Sequence, residues 1–293
     1  MRRLFVKQEA IRDGKVYLTG AEEVYYISVV LRMGAGDGLL ISDSAGKVYE
    51  TRILETGKDR IVLDIYGERP FAGDSGARIT LYQGLPKGAK MDDVVRKATE
   101  LGVFRIAPVL TARSIPNHDG GAPAAKLGRW RRIAEEAARQ SQRALIPEVA
   151  DVMGFSDAAA ELDGEEYDLV LAFYELEERR TLKDALREKF CGADNDSADP
   201  GRGGEYVTAD GEFHRADNDG APWRDRECGE DTDHENRSPK IAAFVGPEGG
   251  FEREEIDCLV ANGAVAVTIG DMILRTETAG MAVLAMIHYE LEL

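Results

Sequence analysis

Phe244-Val245-Gly246-Pro247-Glu248-Gly249-Gly250-Phe251 and Ile269-Gly270-Asp271-Met272-Ile273-Leu274-Arg275-Thr276-Glu277-Thr278-Ala279 are the two stretches whose reading decides the fold. The first leaves the strand-like run Ile241–Val245 and opens a helical pattern over Glu252–Asn262. The second leaves Ala264–Ile269 and enters the helical pattern Thr278–Leu291. Glycines at such bends let a ligand approach the backbone closely. The first amides of the following helix can face an anionic group. Taken alone, each stretch has a plainer reading. Gly-Pro-Glu-Gly-Gly is equally an ordinary strand-to-helix turn. Arg-Thr-Glu-Thr is equally a helix start, with Thr276 capping and Glu277 facing the macrodipole. Two such loops at one edge of an open sheet define a crevice, where α/β proteins bind ligands.

Outward from these loops, strand-like runs recur at Arg78–Gln83, Arg105–Leu110 and Leu169–Tyr174. Helical patterns lie between or after them. Asp92–Leu101 puts Val94, Ala98 and Leu101 on one face and stops at Gly102. Arg129–Arg143 puts Trp130, Ile133, Ala134, Ala137 and Ser141 on one face, and Arg132, Arg139 and Arg143 on another. Leu182–Phe190 is a further helix. Alternating strands and helices predict an α/β domain with a mostly parallel sheet covered on both faces. Residues 1–70 differ: short strand-like runs are separated by Asp13-Gly14, Gly34-Ala35-Gly36-Asp37-Gly38 and Ala45-Gly46 turns, which predicts a small β-barrel. Pro70–Gly76 reads as a linker, giving expected domains of 1–72 and 76–293.

The 293 residues carry a net charge of −17, unevenly spread. Residues 194–238 hold 14 Asp/Glu and 5 Arg, whereas residues 87–143 hold 12 Lys/Arg against 6 Asp/Glu. Local potential, not total charge, governs binding. The basic stretch therefore reads either as an RNA-facing surface or as solvated helix faces. The stretch 191–239 is rich in Asp, Asn, Gly and Arg and is expected to be a solvated, disordered insertion. No apolar run approaches the roughly 18 residues of a membrane helix, and no apolar segment of signal-peptide length follows Met1-Arg2-Arg3, so a cytoplasmic protein is expected. Cys191, Cys228 and Cys258 do not make a disulfide framework. With His214 and His234 they lack zinc-ligand spacing, so no metal is expected. The phosphate-binding Gly-x-x-x-x-Gly-Lys-Ser/Thr, the dinucleotide Gly-x-Gly-x-x-Gly after a strand, and the Gly-x-Ser-x-Gly elbow are all absent. His118, His214, His234 and His288 lie in loops or near the terminus and give a histidine-based triad little support.

The two opening stretches together resemble the RsmE family, the 16S ribosomal RNA uridine-N3 methyltransferases of the SPOUT (trefoil-knot) superfamily. Further similarities follow in chain order: Met1–Val6, Val30-Leu31-Arg32 with Gly36-Asp37, Lys90-Met91-Asp92, Lys97–Val103, Arg129-Trp130, Glu136–Ser141, Arg143 and Pro147. They span both ends and the middle of the chain, leaving out 190–239. The family's usual His-His pair before Val-Leu-Arg is replaced by Tyr25-Tyr26. The resemblance implies a PUA-like RNA-binding barrel followed by a trefoil-knotted SPOUT methyltransferase domain, and a homodimer. It implies S-adenosyl-L-methionine held by Ala172–Glu175, with Ala172 and Tyr174 named in particular. The other cofactor loops are Val245, Gly246, Pro247, Glu248, Gly249 and Gly250, and then Ile269, Gly270, Ile273 and Leu274. Ile273 and Leu274 supply an apolar floor.

Methyl transfer to uracil N3 requires loss of the N3 proton, with charge spreading onto the flanking carbonyl oxygens. A fixed cation there would favour the anion. Arg275 is the candidate cation, and Glu277 or Glu248 would receive the proton or orient Arg275. Their plainer roles are a helix cap and a stiffened loop. The expected RNA contacts are Arg2, Arg3 and Arg32 on the barrel and the stripe Arg132, Arg139 and Arg143. Two alternatives share the fold: a methyltransferase for another rRNA or tRNA base, and a catalytically silent RNA-binding relative.

Overall fold

The computed structural model describes residues 3–43, 46–69, 76–114, 123–164, 166–190, 206–207, 213–214 and 238–291. The amino-terminal part contains β1 (Arg3–Phe5), β2 (Ile11–Arg12), β3 (Lys15–Leu18), α1 (Ala21–Tyr25), β4 (Gly38–Ser42), β5 (Val48–Thr56) and β6 (Ile61–Arg69). The strands form one curled sheet in the order β1-β4-β5-β6-β3-β2. Alternation sets its inner face: Val16 and Leu18, Leu39 and Ile41, and Ile61 and Leu63 are all buried in one cluster. Two register shifts along the β5–β6 pair bend the sheet around that cluster. The helical segment was not legible as such. α1 runs into a wider turn over Tyr26–Val30, and only Val24 and Ile27 of the two point into the core.

The second part contains β7 (Arg78–Gly84), α2 (Lys90–Glu100), β8 (Arg105–Leu110), α3 (Pro123–Gln140), β9 (Glu148–Val149), β10 (Met153–Gly154) and α4 (Phe155–Gly164). It continues through β11 (Leu169–Phe173), α5 (Leu182–Phe190), β12 (Tyr206–Val207), β13 (Phe213–His214), β14 (Lys240–Val245), α6 (Arg253–Ala261), β15 (Val265–Val267) and α7 (Thr276–Glu290). The main sheet runs β10-β8-β7-β14-β11-β15, with β9 also on β8, and its strand pairs are parallel. β14 thus comes late in the chain yet sits at the centre of the sheet, between β7 and β11. Its Ile241–Val245 are all buried, as a strand covered on both faces requires. One face packs Val94, Trp130, Leu182 and Val283 from α2, α3, α5 and α7. The other packs Ala158, Leu162, Ile256 and Leu259 from α4 and α6. There the Tyr82 and Phe244 rings of adjacent strands stack at 4.3 Å.

α4 was missed in the sequence because its buried residues are mostly alanines, which carry a weak apolar signal. The expected insertion 191–239 lies outside the described residues, apart from the antiparallel pair β12–β13 and the strand approach from 238.

Arg143 is corrected from an RNA contact to a structural residue. α3 ends at Gln140, so Arg143 does not continue its polar face. Its side chain is buried, and Nη1 donates to the carbonyls of Val103 at 2.7 Å and Thr99 at 3.1 Å, with Nη2 reaching Gly102 at 3.3 Å. These carbonyls lie in the last turn of α2 and just past its end, where a cation also suits the helix dipole. Arg143→Leu should therefore cost on the order of 3 kcal/mol in urea unfolding, because several buried carbonyls lose charged donors. Arg143 should contribute nothing to the salt dependence of RNA binding.

The face of β7 and β8 covered by α4 carries a second ionic feature. Arg105 bridges Glu161 with two bonds of 2.8 and 3.1 Å, and the Tyr82 hydroxyl donates to the same carboxylate at 2.9 Å. The Arg105 hydrogen bond, opposed by partial burial, holds the Glu161 carboxyl below its usual range. A depressed carboxyl stabilises the fold above its ordinary titration range, and the effect is lost as pH falls through the folded-state value. Glu161→Gln should cost about 1 kcal/mol near neutral pH after solvent screening. The difference from the unmodified protein should vanish in strong acid, as read from urea midpoints at several pH values.

Candidate active site

The carboxyl ends of β7, β14, β11 and β15 lie along one edge of the sheet, and both glycine-bearing loops leave from it. Gln83, fully buried near the end of β7, donates from Nε2 to Thr276 Oγ1 at 2.8 Å. Thr276 Oγ1 in turn donates to the Gly246 carbonyl at 2.6 Å. The start of α7 is thereby fastened to the loop after β14. Thr276 is not the cap of α7: Arg275 occupies that position, with extended backbone at φ −64° and ψ 148°. The threonine hydroxyl instead joins the two loops.

Lys90, at the start of α2, makes the second junction. Its Nζ lies 2.8 Å from Glu248 Oε1 and 3.5 Å from Glu277 Oε2. The Lys87 amide also donates to both Glu248 oxygens at 3.2 Å. Partial burial works to raise the Glu248 carboxyl. The Lys90 bond and the backbone amides outweigh it, so the carboxyl lies below its ordinary value. Lys90 is raised, chiefly by its hydrogen bond to Glu248. Arg275 is exposed, and its neighbours Thr276 and Glu277 turn inward.

The loops form a glycine-walled cradle. A Cβ on Gly84 would meet Pro247 Cδ at 2.5 Å and Pro247 N at 2.6 Å. Gly250 has φ +68°, and a Cβ there would strike the Glu175 carboxylate at 2.1 Å. The loop after β11 joins the same group through the Tyr174 amide, which donates to the Val267 carbonyl at 3.1 Å. Ala172, Val245 and Pro247 are buried; Gly246, Ile269, Leu274 and Tyr174 are half-buried; Glu248, Gly249 and Gly270 are exposed. Ile273 and Met272 are 86% and 77% exposed, an apolar lip beside polar backbone. That combination fits a ligand with a flat apolar base and a charged tail, as S-adenosylmethionine has.

The expected RNA residues are dispersed. Arg32 is exposed, in a left-handed conformation at φ +53°. Arg3 donates to the Gln142 carbonyl and so ties the curled sheet to the segment after α3. Arg132 is exposed, and Arg139 pairs with Glu135. Arg2 lies outside the described residues, as do Cys191, Cys228, His118 and His234. Among the described residues no group of three His, Cys, Asp or Glu is placed to hold a metal. None of the described helices is long and apolar enough to cross a membrane. Sequence reasoning gave no role to Lys90, Gln83 or Arg113. Arg113 donates to the Gly249 carbonyl at 2.7 Å. A lysine at a helix start, where the dipole disfavours a cation, was the one available signal for Lys90.

An open parallel sheet with two glycine-bearing loops fastened together at its carboxyl edge, behind an all-β module, is the build of a two-part α/β nucleic-acid-modifying enzyme. The chain belongs to the RNA methyltransferase domain family, which it matches over residues 74–195 and 224–288. Residues 18–66 match the RNA methyltransferase PUA domain. Among similar proteins is the ribosomal RNA small subunit methyltransferase E of Bacillus subtilis, 25% identical, covering 100% of this chain and 98% of the relative. That of Synechocystis is 28% identical, covering 99% and 78%. The structure of the Neisseria gonorrhoeae ribosomal RNA small subunit methyltransferase E bound to S-adenosyl methionine aligns with a TM-score of 0.66 and 26% identity, covering 99% of this chain and 97% of that one.

Proposed function

We propose that this RNA methyltransferase uses S-adenosyl-L-methionine to methylate N3 of a uridine in the 16S RNA of the small ribosomal subunit. The reading includes a cytoplasmic homodimer, a PUA-like module over 1–72, a catalytic domain over 76–293 and a knotted carboxyl-terminal segment. The observation that carries it is the pair of contacts from Thr276 to Gly246 and from Lys90 to both Glu248 and Glu277, which make one site of two loops. The similarity to small-subunit methyltransferases over almost the whole chain supports the substrate.

The residues that would hold the cofactor are the backbone of Val245–Gly250 and Ile269–Leu274, with Ala172 and Tyr174 closing the side from β11. When bound, S-adenosylmethionine supplies an electrophilic methyl group. The protein's own part is to make uracil N3 a nucleophile. Arg275 stands at the loop mouth with its side chain exposed. Its guanidinium would stabilise the negative charge that spreads onto the uracil carbonyl oxygens, as oxyanion donors do. Glu277 or Glu248 would receive the N3 proton. Arg3, Arg32, Arg132 and Arg139 would bind RNA phosphates, so Arg132→Glu should flatten the salt dependence of binding.

Mass-spectrometric nucleoside mapping of 16S RNA from a strain lacking the gene tests the assignment. One 3-methyluridine should disappear and return with the cloned gene. Loss of a different modified base, or none, would move the protein to another substrate.

A further inference from the structure

Two carboxylates share one ammonium at the site, and they share it unequally. Lys90 Nζ bonds Glu248 at 2.8 Å, while Glu277 Oε2 lies at 3.5 Å and, among the described residues, is buried without a hydrogen bond. Glu248 has further donors in the Lys87 amide. Glu248 thus accepts from both the Lys90 ammonium and the Lys87 amide. The Lys90 ammonium stands closer to Glu248 than to Glu277, so the two carboxylates are held unequally. The three side chains together carry a net charge of −1, and one added proton neutralises the group.

Resting on the reading above, we infer that Lys90 apportions the two carboxylates: it fixes Glu248 as the ionised brace of the cofactor loop and leaves Glu277 as the acceptor of the uridine N3 proton. In that step the N3–H bond breaks, an O–H bond forms on the Glu277 carboxylate, and the electron pair stays on N3 and its flanking carbonyl oxygens. The proton later leaves to solvent. Lys90 from α2 is the charged group placed against Glu277, which lies in the first turn of α7, and the same ammonium holds Glu248 of the loop after β14. Lys90 is a positioning residue and Glu277 a catalytic one. A lysine at the first position of α2, where the helix dipole disfavours it, fits a placement set by the site rather than by the helix.

Glu277→Gln, Glu248→Gln, Lys90→Met and Lys90→Arg separate these roles. Small subunits from a strain lacking the gene would be prepared with either uracil or 5-fluorouracil in their RNA. Fluorine withdraws electron density, so the N3 proton of 5-fluorouridine leaves more readily. Glu277→Gln should slow turnover by about 10²–10⁴-fold on ordinary subunits. It should recover at least about tenfold on fluorinated ones or at raised pH, with S-adenosylmethionine affinity by calorimetry unchanged. Glu248→Gln should weaken cofactor affinity and gain nothing from fluorine. Lys90→Met should narrow the difference between the two glutamine variants by about tenfold or more, and Lys90→Arg should keep it. Recovery of Glu248→Gln by fluorine, or of neither variant, would overturn the inference, as would an undiminished difference in Lys90→Met. Failure of the unmodified protein to methylate either subunit preparation would instead sink the functional reading itself.

Discussion

Arg275→Ala should lower the rate of methyl transfer by about 10²–10³-fold, the usual loss when one donor to a developing oxyanion is removed. Cofactor affinity should change by no more than about threefold, because the Arg275 side chain is exposed and its proposed role lies with the substrate rather than the cofactor. The loss belongs on the chemical step: the negative charge forms only when N3 is deprotonated, so the guanidinium contributes more to the transition state than to the ground state. Arg275→Lys should recover little, because a point charge cannot reproduce a planar fork of donors. Single-turnover rates with saturating subunits, set beside calorimetric binding of S-adenosylmethionine, measure both quantities. Turnover near that of the unmodified protein would remove Arg275 from the chemistry.

Gly84→Ala should be the most damaging single methyl group in the site. Its Cβ would lie 2.5 Å from Pro247 Cδ, 2.6 Å from Pro247 N and 2.9 Å from the Gly246 carbonyl carbon. Two of these are backbone atoms, so no side-chain rotation relieves the overlap. The loop after β14 must move away from β7, and with it the Thr276 bond to the Gly246 carbonyl. About 1–3 kcal/mol of stability should be lost to overpacking. Affinity for S-adenosylmethionine should fall by more than about tenfold, since the cradle is no longer pre-formed. Gly128→Ala is the matched control. It lies within α3 with nothing inside 4 Å of the added carbon. It should gain up to about 1 kcal/mol from helix propensity alone. Thermal melts and calorimetry on the two variants compare site packing with backbone entropy directly.

The parallel sheet was legible because β7, β14 and β11 are short apolar runs set between helical periods, and the two loops because glycines punctuate strand ends. Partners in space were not legible. Lys90 precedes Glu248 by more than half the chain, and only the insertion of β14 between β7 and β11 brings them together. Arg143 was misread because a helical period was carried past Gln140. The left-handed residue at Gln142, φ +56°, turns the next side chain inward. Thr276 looked like a cap because residue type alone does not say whether a hydroxyl serves its own helix or a neighbouring loop.

Hydrogen exchange followed by mass spectrometry, with and without saturating S-adenosylmethionine, tests most directly whether the loops 244–251 and 269–277 together hold the methyl donor. Slowed exchange should appear in peptides from both loops at once, with little change in the curled sheet of residues 3–69. Unchanged exchange in either loop while the cofactor is bound elsewhere would contradict the account.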